Sequence, residues 1–189
     1  MASAPPIETP RLRLEVFSKR HLTSRYVGWL NDPSVTRFSE QRHHRHTLES
    51  CLRYWESFQD TPHYFWAAEL REGGLGHIGN LNAYVDPVHG VADVGILLGE
   101  TAAHGQGYGT EAWLGVCDYL LRVGGVRKVS AGALANNLPM LAIMKKAGMI
   151  DDGRRIRHCL WNGEEVDVVH TALFRDDWIQ RYPRGPFAK

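Results

Sequence analysis

Residues 104–113 read His-Gly-Gln-Gly-Tyr-Gly-Thr-Glu-Ala-Trp, and this stretch decides how the rest of the chain is organised. An apolar run at 91–98 precedes it and is typical of a buried strand. Apolar side chains recur at helical spacing after it, which predicts an amphipathic helix. Alternating glycines let a backbone approach an anion closely, and the first free N–H groups of a helix point toward that anion. The stretch therefore predicts a phosphate-binding turn at 105–110.

Two common phosphate-binding patterns do not fit this turn. The P-loop pattern requires Gly-Lys-Ser/Thr, and the turn contains no lysine. The dinucleotide pattern G-x-G-x-x-G fails because Thr110 stands where the third glycine is required. A plain tight turn that binds no ligand is the alternative interpretation of the three glycines.

The turn resembles the pyrophosphate loop of GNAT acetyltransferases, which is commonly written Q/R-x-x-G-x-G/A. Gly107-Tyr108-Gly109 matches the G-x-G part, and Thr110-Glu111-Ala112 is similar to the RimJ/RimL branch. His104 departs from the Gln or Arg that is usual in the family. The resemblance implies an α+β, layered fold with a mixed, mostly antiparallel central sheet, helices on both faces and a splayed pair of parallel strands.

A second motif, at 137–149, resembles the GNAT helix that begins with Asn and ends in Lys-x-Gly-Phe. In that pattern the Asn side chain bonds the pantetheine arm and the Lys lies near the phosphates, which implies these roles for Asn137 and Lys146. A helix cap and a surface charge are the alternative interpretations of these two residues. Met140 replaces the serine of RimL-like enzymes, and Met144 replaces the tyrosine that protonates the leaving thiolate in many relatives. Neither methionine can donate a proton.

The resemblance covers nearly the whole chain. Residues 8–14 and 29–33 are also similar to the RimJ/RimL branch, so the match spans 8–175. We expect one N-acetyltransferase domain at 8–175, a loose N-terminal extension at 1–7 and a C-terminal tail at 176–189.

Composition narrows the class of protein. The 189 residues include 22 basic and 21 acidic ones, and this balance does not create the strong basic field of a nucleic-acid-binding protein. No apolar run reaches the roughly 18 residues of a membrane helix. The three cysteines are scattered, which argues against a disulfide framework or a structural metal site. We expect a cytoplasmic monomer or homodimer without nucleic-acid, membrane or metal partners.

The period of the apolar residues predicts the remaining elements. Three strands joined by short turns form an antiparallel meander, and a helix then leads to a strand that runs parallel to the third. A last pair of strands flanks Asn162-Gly163, a strong hairpin signal. The predicted strands are 11–17, 64–70, 75–85, 91–98, 126–134, 154–161 and 165–174. The predicted helices include 19–30 and 136–147. Another is predicted to begin after Thr47, which caps it, and to have Leu48 on its inner face.

The chemistry of acetyl transfer sets what the site requires. An amine attacks a thioester only when it is neutral. Because an ordinary ammonium has a pKa of about 10, a base must take its proton. N–H groups must also hold the oxyanion that develops. Acetyl-CoA is the expected acetyl donor, and no side-chain nucleophile is needed because the amine attacks directly. The predicted binding residues for acetyl-CoA are Ile96, Leu97, Leu98, His104, Gly105, Gln106, Gly107, Tyr108, Gly109, Thr110, Asn137 and Lys146.

Asp93 is the first candidate for the catalytic base, because a carboxylate within an apolar strand is costly unless it is paired or used. Glu100, at the end of the same strand, is the second candidate. Pairing with an Arg or a backbone amide is the alternative for Asp93, and an exposed loop charge is the alternative for Glu100. His77 and His170 lie in predicted strands and are candidates for a proton relay, with His77 also assigned to substrate binding. Cys117, on the apolar face of the long helix, is predicted to belong to the core.

A short basic run at 41–46 reads Gln-Arg-His-His-Arg-His. A solvated loop and a metal site are two interpretations of it. The third follows from the resemblance, which implies that this segment overhangs the acceptor site, where Arg42 and Arg45 would pair with an acidic acceptor. We expect the acceptor to be a small-molecule amine, with an amino-sugar nucleotide as one candidate. The alternatives are a protein N-terminus and a non-catalytic acyl-CoA-binding module.

Overall fold

The computed structural model of the chain describes residues 6–188, which form one eight-stranded sheet with helices on both faces. The strands are β1 (Ile7–Glu8), β2 (Leu12–Val16), β3 (Tyr64–Leu70), β4 (His77–Asp86), β5 (Val91–Leu98), β6 (Lys128–Leu134), β7 (Ile150–Trp161) and β8 (Glu164–Phe174). Their order across the sheet is β1-β2-β3-β4-β5-β6-β8-β7. All neighbours are antiparallel except β5 and β6, which run parallel.

Within residues 6–188, six α-helices cover the two faces of the sheet. They are α1 (Ser24–Asn31), α2 (Pro33–Thr36), α3 (Leu48–Glu56), α4 (Tyr108–Arg122), α5 (Leu138–Ala147) and α6 (Arg175–Arg181). On one face, α4 buries Trp113, Val116 and Leu120 against the sheet in the larger core. On the other face, a smaller aromatic core joins Tyr26 and Trp29 of α1 to Phe65 of β3. The expected mixed, mostly antiparallel sheet with a splayed parallel pair is confirmed.

The parallel pair separates early along its length. β5 and β6 are paired from Val91 and Lys128 to Asp93 and Ser130, and the pairing does not continue toward Leu98. The helix α4 that joins the two strands is what allows them to run in the same direction. The separation opens a slot in the sheet between the C-terminal half of β5 and β6.

Several boundaries differ from those expected. The predicted helix at 19–30 is a 3-10 turn at Lys19–His21 followed by α1, because Thr23 caps a new start by accepting from Tyr26 N. Leu48 is 52% exposed, since it occupies the first position of α3, beyond the edge of the core.

The two ends of the chain also differ from expectation. Ile7, assigned to a loose extension, begins β1, and residues 1–5 lie outside the described part of the chain. The predicted tail contains α6, whose Trp178 is 1% exposed and belongs to the larger core. Within residues 6–188, none of the helices is both long and apolar enough to span a membrane.

Candidate active site

The glycine-rich turn brings the start of α4 to the mouth of the slot. Gly105 and Gly107 have φ values of +74° and +83°, a left-handed conformation that favours glycine. Gly107 occupies the N-cap position of α4, so the free N–H groups of the first helical turn point out of the helix at this end. Their direction and the positive end of the helix dipole suit the turn to an anion.

An ion pair between the exposed Arg11 and the buried Glu111 fixes this turn. Glu111, 7% exposed, accepts hydrogen bonds from Arg11 N and Arg11 Nε, both at 2.6 Å, and from Thr9 Oγ1 at 2.7 Å. Arg11 Nη1 also donates to the carbonyl oxygen of Gln106 at 3.0 Å. Burial pushes the pKa of Glu111 up, but the hydrogen bonds from Thr9 and Arg11 outweigh it and hold the pKa below its ordinary value. Sequence patterns alone do not indicate Arg11, because it lies 100 residues from its partner.

In front of the turn lies a cavity of about 520 Å³, here named the donor cavity. It brings together eleven of the twelve residues that the sequence assigned to acetyl-CoA, and it adds Arg37 and Phe38 from the segment after α2. Gln106 is the exception, since its side chain turns back and donates to Ala102 O at 2.6 Å. The eleven are Ile96, Leu97, Leu98, His104, Gly105, Gly107, Tyr108, Gly109, Thr110, Asn137 and Lys146.

Two donor-cavity residues also have structural roles. Asn137 Oδ1 accepts from Met140 N at 3.2 Å and so caps α5, the alternative that the sequence left open. His104 Nε2 lies 2.9 Å from Leu98 O, which ties the glycine-rich turn to the end of β5. Met140 lines the donor cavity, whereas Met144 is 2% exposed and lies in the core.

A second cavity, of about 410 Å³ and here named the acceptor cavity, lies under the basic run. Its walls come from α1, α3, the run itself and the strands β3, β4 and β5. Ser39, Ile96 and Leu97 line both cavities. The two spaces therefore meet at the separated half of β5.

The candidate bases lie outside both cavities. Asp93 is an exposed residue, but the neighbouring strands crowd its carboxylate, so desolvation raises its pKa while a hydrogen bond from Ser130 Oγ at 3.0 Å opposes the rise. Glu100 accepts from Arg25 Nε at 3.1 Å, and hydrogen bonding to Arg25 lowers its pKa. The structure thus gives each carboxylate a local partner. The partner of Asp93 is a serine hydroxyl, not the arginine or backbone amide considered as its alternative. Glu100 is paired with Arg25 and is not a free loop charge.

His77 supports the acceptor cavity from outside its wall. Its Nε2 lies 2.9 Å from Asn80 Oδ1 and 3.0 Å from Gly79 O, and Asn80 itself lines the cavity. Burial lowers the pKa of His77 to about 4, so its imidazole is neutral at physiological pH. His170, the other candidate for a proton relay, lies on β8. Its Nε2 is buried and has no hydrogen-bond partner among the described residues.

The two arginines of the basic run differ in their surroundings. Arg42 donates to Ser39 O at 2.8 Å and to Leu160 O at 3.2 Å, and it joins the run to the β7–β8 hairpin. Arg45 is exposed and lines the acceptor cavity. Among residues 6–188, no His, Cys, Asp and Glu side chains are grouped so that three or more could hold a metal ion.

Comparison with protein families identifies an acetyltransferase model. The model described as "Acetyltransferase (GNAT) domain" matches residues 11–150. No curated protein sequence matches the chain.

Solved structures share the fold over almost the whole chain. RimL, the ribosomal L7/L12 α-N-protein acetyltransferase in complex with coenzyme A, has a TM-score of 0.81 at 16% identity, with 91% of this chain and 99% of that chain covered. A spermidine N-acetyltransferase from Vibrio cholerae, in complex with CoA and spermine, has a TM-score of 0.77 at 14% identity, with coverage of 88% and 96%. A GNAT-family acetyltransferase from Bacillus anthracis has a TM-score of 0.76 at 16% identity, with coverage of 91% and 99%.

Proposed function

The chain belongs to the GNAT acetyltransferase family, whose members use acetyl-CoA as donor, and we propose that it transfers the acetyl group directly to a primary amine of a small molecule. The observation that carries this proposal is the meeting of the donor and acceptor cavities at Ile96 and Leu97. A thioester and an amine bound in the two cavities would face each other there. Transfer then takes place in a ternary complex, without an acyl-enzyme.

The donor cavity fits the chemistry of acetyl-CoA. Its lining carries the cationic side chains Arg37 and Lys146 and, in the part of the chain that the structure describes, no Asp or Glu. The glycine-rich turn and the first turn of α4 suit the pyrophosphate. The free edge of β5 offers backbone groups to the pantetheine arm and to the thioester oxygen, where preorganised N–H groups stabilise the developing oxyanion.

The acceptor cavity favours an amine that carries a negative group elsewhere. Arg45 stands in its wall, and guanidinium groups bind phosphates and carboxylates well. An amino-sugar nucleotide has such phosphates and is our candidate acceptor. A polycation such as the spermine bound to the Vibrio cholerae structure would meet Arg45 and, among the described lining residues, no carboxylate to offset it.

The test is thiol release from acetyl-CoA with a panel of amines, followed by mass spectrometry of the product. The panel contains a nucleotide-linked amino sugar, glucosamine 6-phosphate, glucosamine, ethanolamine, spermidine and peptides with free N-termini. We expect the phosphorylated amines to react fastest and spermidine slowest. Preferred acetylation of a peptide would point instead to a protein N-terminal acetyltransferase. Tight acetyl-CoA binding with no product from any amine would point to a non-catalytic acyl-CoA-binding module.

We also propose a cytoplasmic location and a monomer or homodimer. Cys51, Cys117 and Cys159 are all free thiols in the structure, as suits a reducing compartment.

A further inference from the structure

We propose that Asn80 selects the amine substrate: its side-chain amide donates a hydrogen bond to an oxygen atom on the carbon next to the one that bears the reacting amino group. This inference deepens the proposed function and rests on it. The substrate class is an amine with such a neighbouring oxygen. That oxygen is a hydroxyl in a 2-amino sugar or another vicinal amino alcohol, and a carbonyl in a peptide N-terminus.

Asn80 is a buried polar residue on an apolar face of the sheet. It lies on β4, opposite Ala67 of β3 and Leu97 of β5. Ala67 belongs to the smaller aromatic core, Leu97 packs against it, and Asn80 is only 5% exposed. Directly opposite residues of antiparallel strands project to the same face, so the Asn80 amide lies among apolar side chains. A buried amide is costly unless its groups find hydrogen-bond partners.

His77 determines which way this amide points. His77 Nε2 lies 3.0 Å from Gly79 O, and because a carbonyl oxygen only accepts, Nε2 carries the proton. The same Nε2 lies 2.9 Å from the Asn80 amide, so the amide atom that faces it must be the oxygen, Oδ1. The Nδ2 end of the amide is thereby turned away from His77.

The N–H groups of Asn80 face the acceptor cavity. Nδ2 makes no hydrogen bond with any residue in 6–188, yet it is not shielded from solvent as the unpartnered Nε2 of His170 is. Asn80 lines the acceptor cavity and not the donor cavity. A molecule that displaces solvent from this cavity must offer a lone pair to these N–H groups or leave them unsatisfied.

The register of the sheet places Asn80 beside the point where the two cavities meet. Leu97, the residue opposite it on β5, lines both cavities. The Cβ atoms of such a pair lie about 5 Å apart, so the Asn80 amide is within one side chain's length of the junction. Under the proposed function, the amine meets the thioester at this junction. The oxygen that accepts from Asn80 therefore belongs to the part of the substrate next to the amino group.

The amino group itself cannot be the partner of Asn80. An ammonium has only N–H groups, and the lone pair of the neutral amine is used to attack the thioester carbonyl. An oxygen on the adjacent carbon keeps its lone pairs throughout the reaction. A plain alkyl amine lacks that oxygen and would leave the N–H groups of Asn80 unsatisfied, which selects against it.

Asn82 offers a comparison within the same strand, because it is also an asparagine of β4 that lines the acceptor cavity. Its amide lies over Gly95, where a Cβ atom would come within 2.7 Å of Oδ1. Asn80 has His77 to fix its amide, whereas no group of residues 6–188 does this for Asn82. Asn82 is paired with Gly95, two positions before Leu97, and so lies further from the junction.

The test is the selectivity of Asn80→Leu among three small amines. Ethanolamine carries the neighbouring hydroxyl, glycinamide carries the neighbouring carbonyl, and propylamine carries neither. Relative to the wild type, kcat/KM should fall at least about tenfold for the amine whose oxygen accepts from Asn80 and stay within about twofold for propylamine. The affinity for acetyl-CoA should be unchanged. Because the amines differ in pKa, each amine is compared between proteins and not with the other amines.

The two oxygen-bearing amines distinguish the sources of the oxygen. A larger loss with ethanolamine identifies an amino alcohol, and a larger loss with glycinamide identifies a peptide N-terminus. His77→Leu removes the hydrogen bond that orients the amide and should lose part of the selectivity. His77→Gln can still donate to Asn80 Oδ1 and should restore it.

Asn82→Leu is the matched control and should change the selectivity less than Asn80→Leu. Asn80→Asp keeps an oxygen for His77 but has no N–H group, so it should lose the same selectivity if Asn80→Leu does not fold. An equal effect of Asn80→Leu on all three amines would overturn the inference, as would an equal change of selectivity in Asn82→Leu.

The panel of amines separates failure of the inference from failure of the proposed function. If the wild-type chain acetylates none of the three small amines, glucosamine and spermidine take their place, since only glucosamine has the neighbouring oxygen. A loss with glucosamine in Asn80→Leu then supports the inference, and an unchanged rate overturns it. A wild-type chain that acetylates no amine of the panel would overturn the proposed function, and the inference with it.

Discussion

Arg11 Nε lies 2.6 Å from Glu111 Oε2, and this contact joins the residue before β2 to the first turn of α4. The same guanidinium donates to Gln106 O and lies 4.4 Å from the centre of the Tyr108 ring. The pair thus braces the glycine-rich turn with two side chains that do not line the donor cavity. Such preorganisation reduces the ordering that a bound phosphate would otherwise have to bring about.

Arg11→Ala should weaken acetyl-CoA binding several-fold and lower the melting temperature. The substitution releases Gln106 and leaves Glu111 buried without its charged partner, a loss of about 1–3 kcal/mol. Calorimetry and thermal unfolding measure the two effects. Arg13→Ala is the control, because Arg13 pairs with Glu8 and Glu15 on the surface. Unchanged affinity in a folded Arg11→Ala protein would show that the brace does not affect the turn.

Glu111→Gln should change how stability depends on pH. The folded pKa of Glu111 lies below its ordinary value of 4.5, because hydrogen bonds from Thr9 and Arg11 outweigh the opposing effect of burial. Its ionisation therefore stabilises the fold above about pH 4.5, and this contribution is lost as the pH falls through the folded pKa. Urea unfolding should find the variant less stable at pH 7, with a gap that narrows below pH 4.5. A gap that stays constant with pH would contradict the assignment.

Gly107→Val should weaken acetyl-CoA binding at least tenfold. With φ at +83°, a branched side chain strains the backbone at the N-cap of α4 and blocks the close approach of a phosphate. Gly74→Val is the matched control. Gly74 has φ of +77° in the β3–β4 turn, with open space around it, and so carries the same strain away from both cavities. Calorimetry that finds equal affinity in both folded variants would remove the phosphate-binding role of the turn.

The parts of the fold that depend on local pattern were predictable from the sequence. Strands 64–70 and 91–98 have the expected bounds, because each is a short apolar run between turn signals. The glycine-rich turn of the donor cavity followed for the same reason, since the glycines and the helix start are neighbours in the chain. The roles of Asn137 and Lys146 were implied only by the resemblance to the GNAT helix. The brace was not predictable, because Arg11 and Glu111 come together only when β2 packs beside α4. The different surroundings of Arg42 and Arg45 depend on a hairpin more than 100 residues away.

Catalysis should proceed without a covalent acyl-enzyme. Cys117, the cysteine of α4, is fully buried in the larger core, and burial raises the pKa of its thiol, so it is neither accessible nor a thiolate. Incubation with acetyl-CoA alone should leave the intact mass unchanged, and Cys117→Ala should keep kcat within about twofold at some cost in stability. A stable acetyl group on Cys117 that turnover requires would disprove direct transfer.

The last prediction concerns the basic run, where we expect Arg45 and Arg42 to have different roles. Arg45 lines the acceptor cavity, so Arg45→Ala should raise the KM of an anionic acceptor several-fold and leave the KM of acetyl-CoA unchanged. Arg42 instead holds Ser39 O and Leu160 O, so Arg42→Ala should lower the melting temperature with a smaller effect on the acceptor KM.

The double variant should have both a higher acceptor KM and a lower melting temperature. Thermal unfolding measures the second effect, and steady-state kinetics with glucosamine 6-phosphate and glucosamine shows whether the first depends on the charge of the acceptor. Both sugars present the same amine, so only the phosphorylated one should lose affinity when Arg45 is removed. Arg155→Ala is the control, since Arg155 is an exposed arginine of β7 that lies outside both cavities. If the double variant has the wild-type KM for both the acceptor and acetyl-CoA, the run is a solvated loop and the charge of the acceptor does not determine its binding.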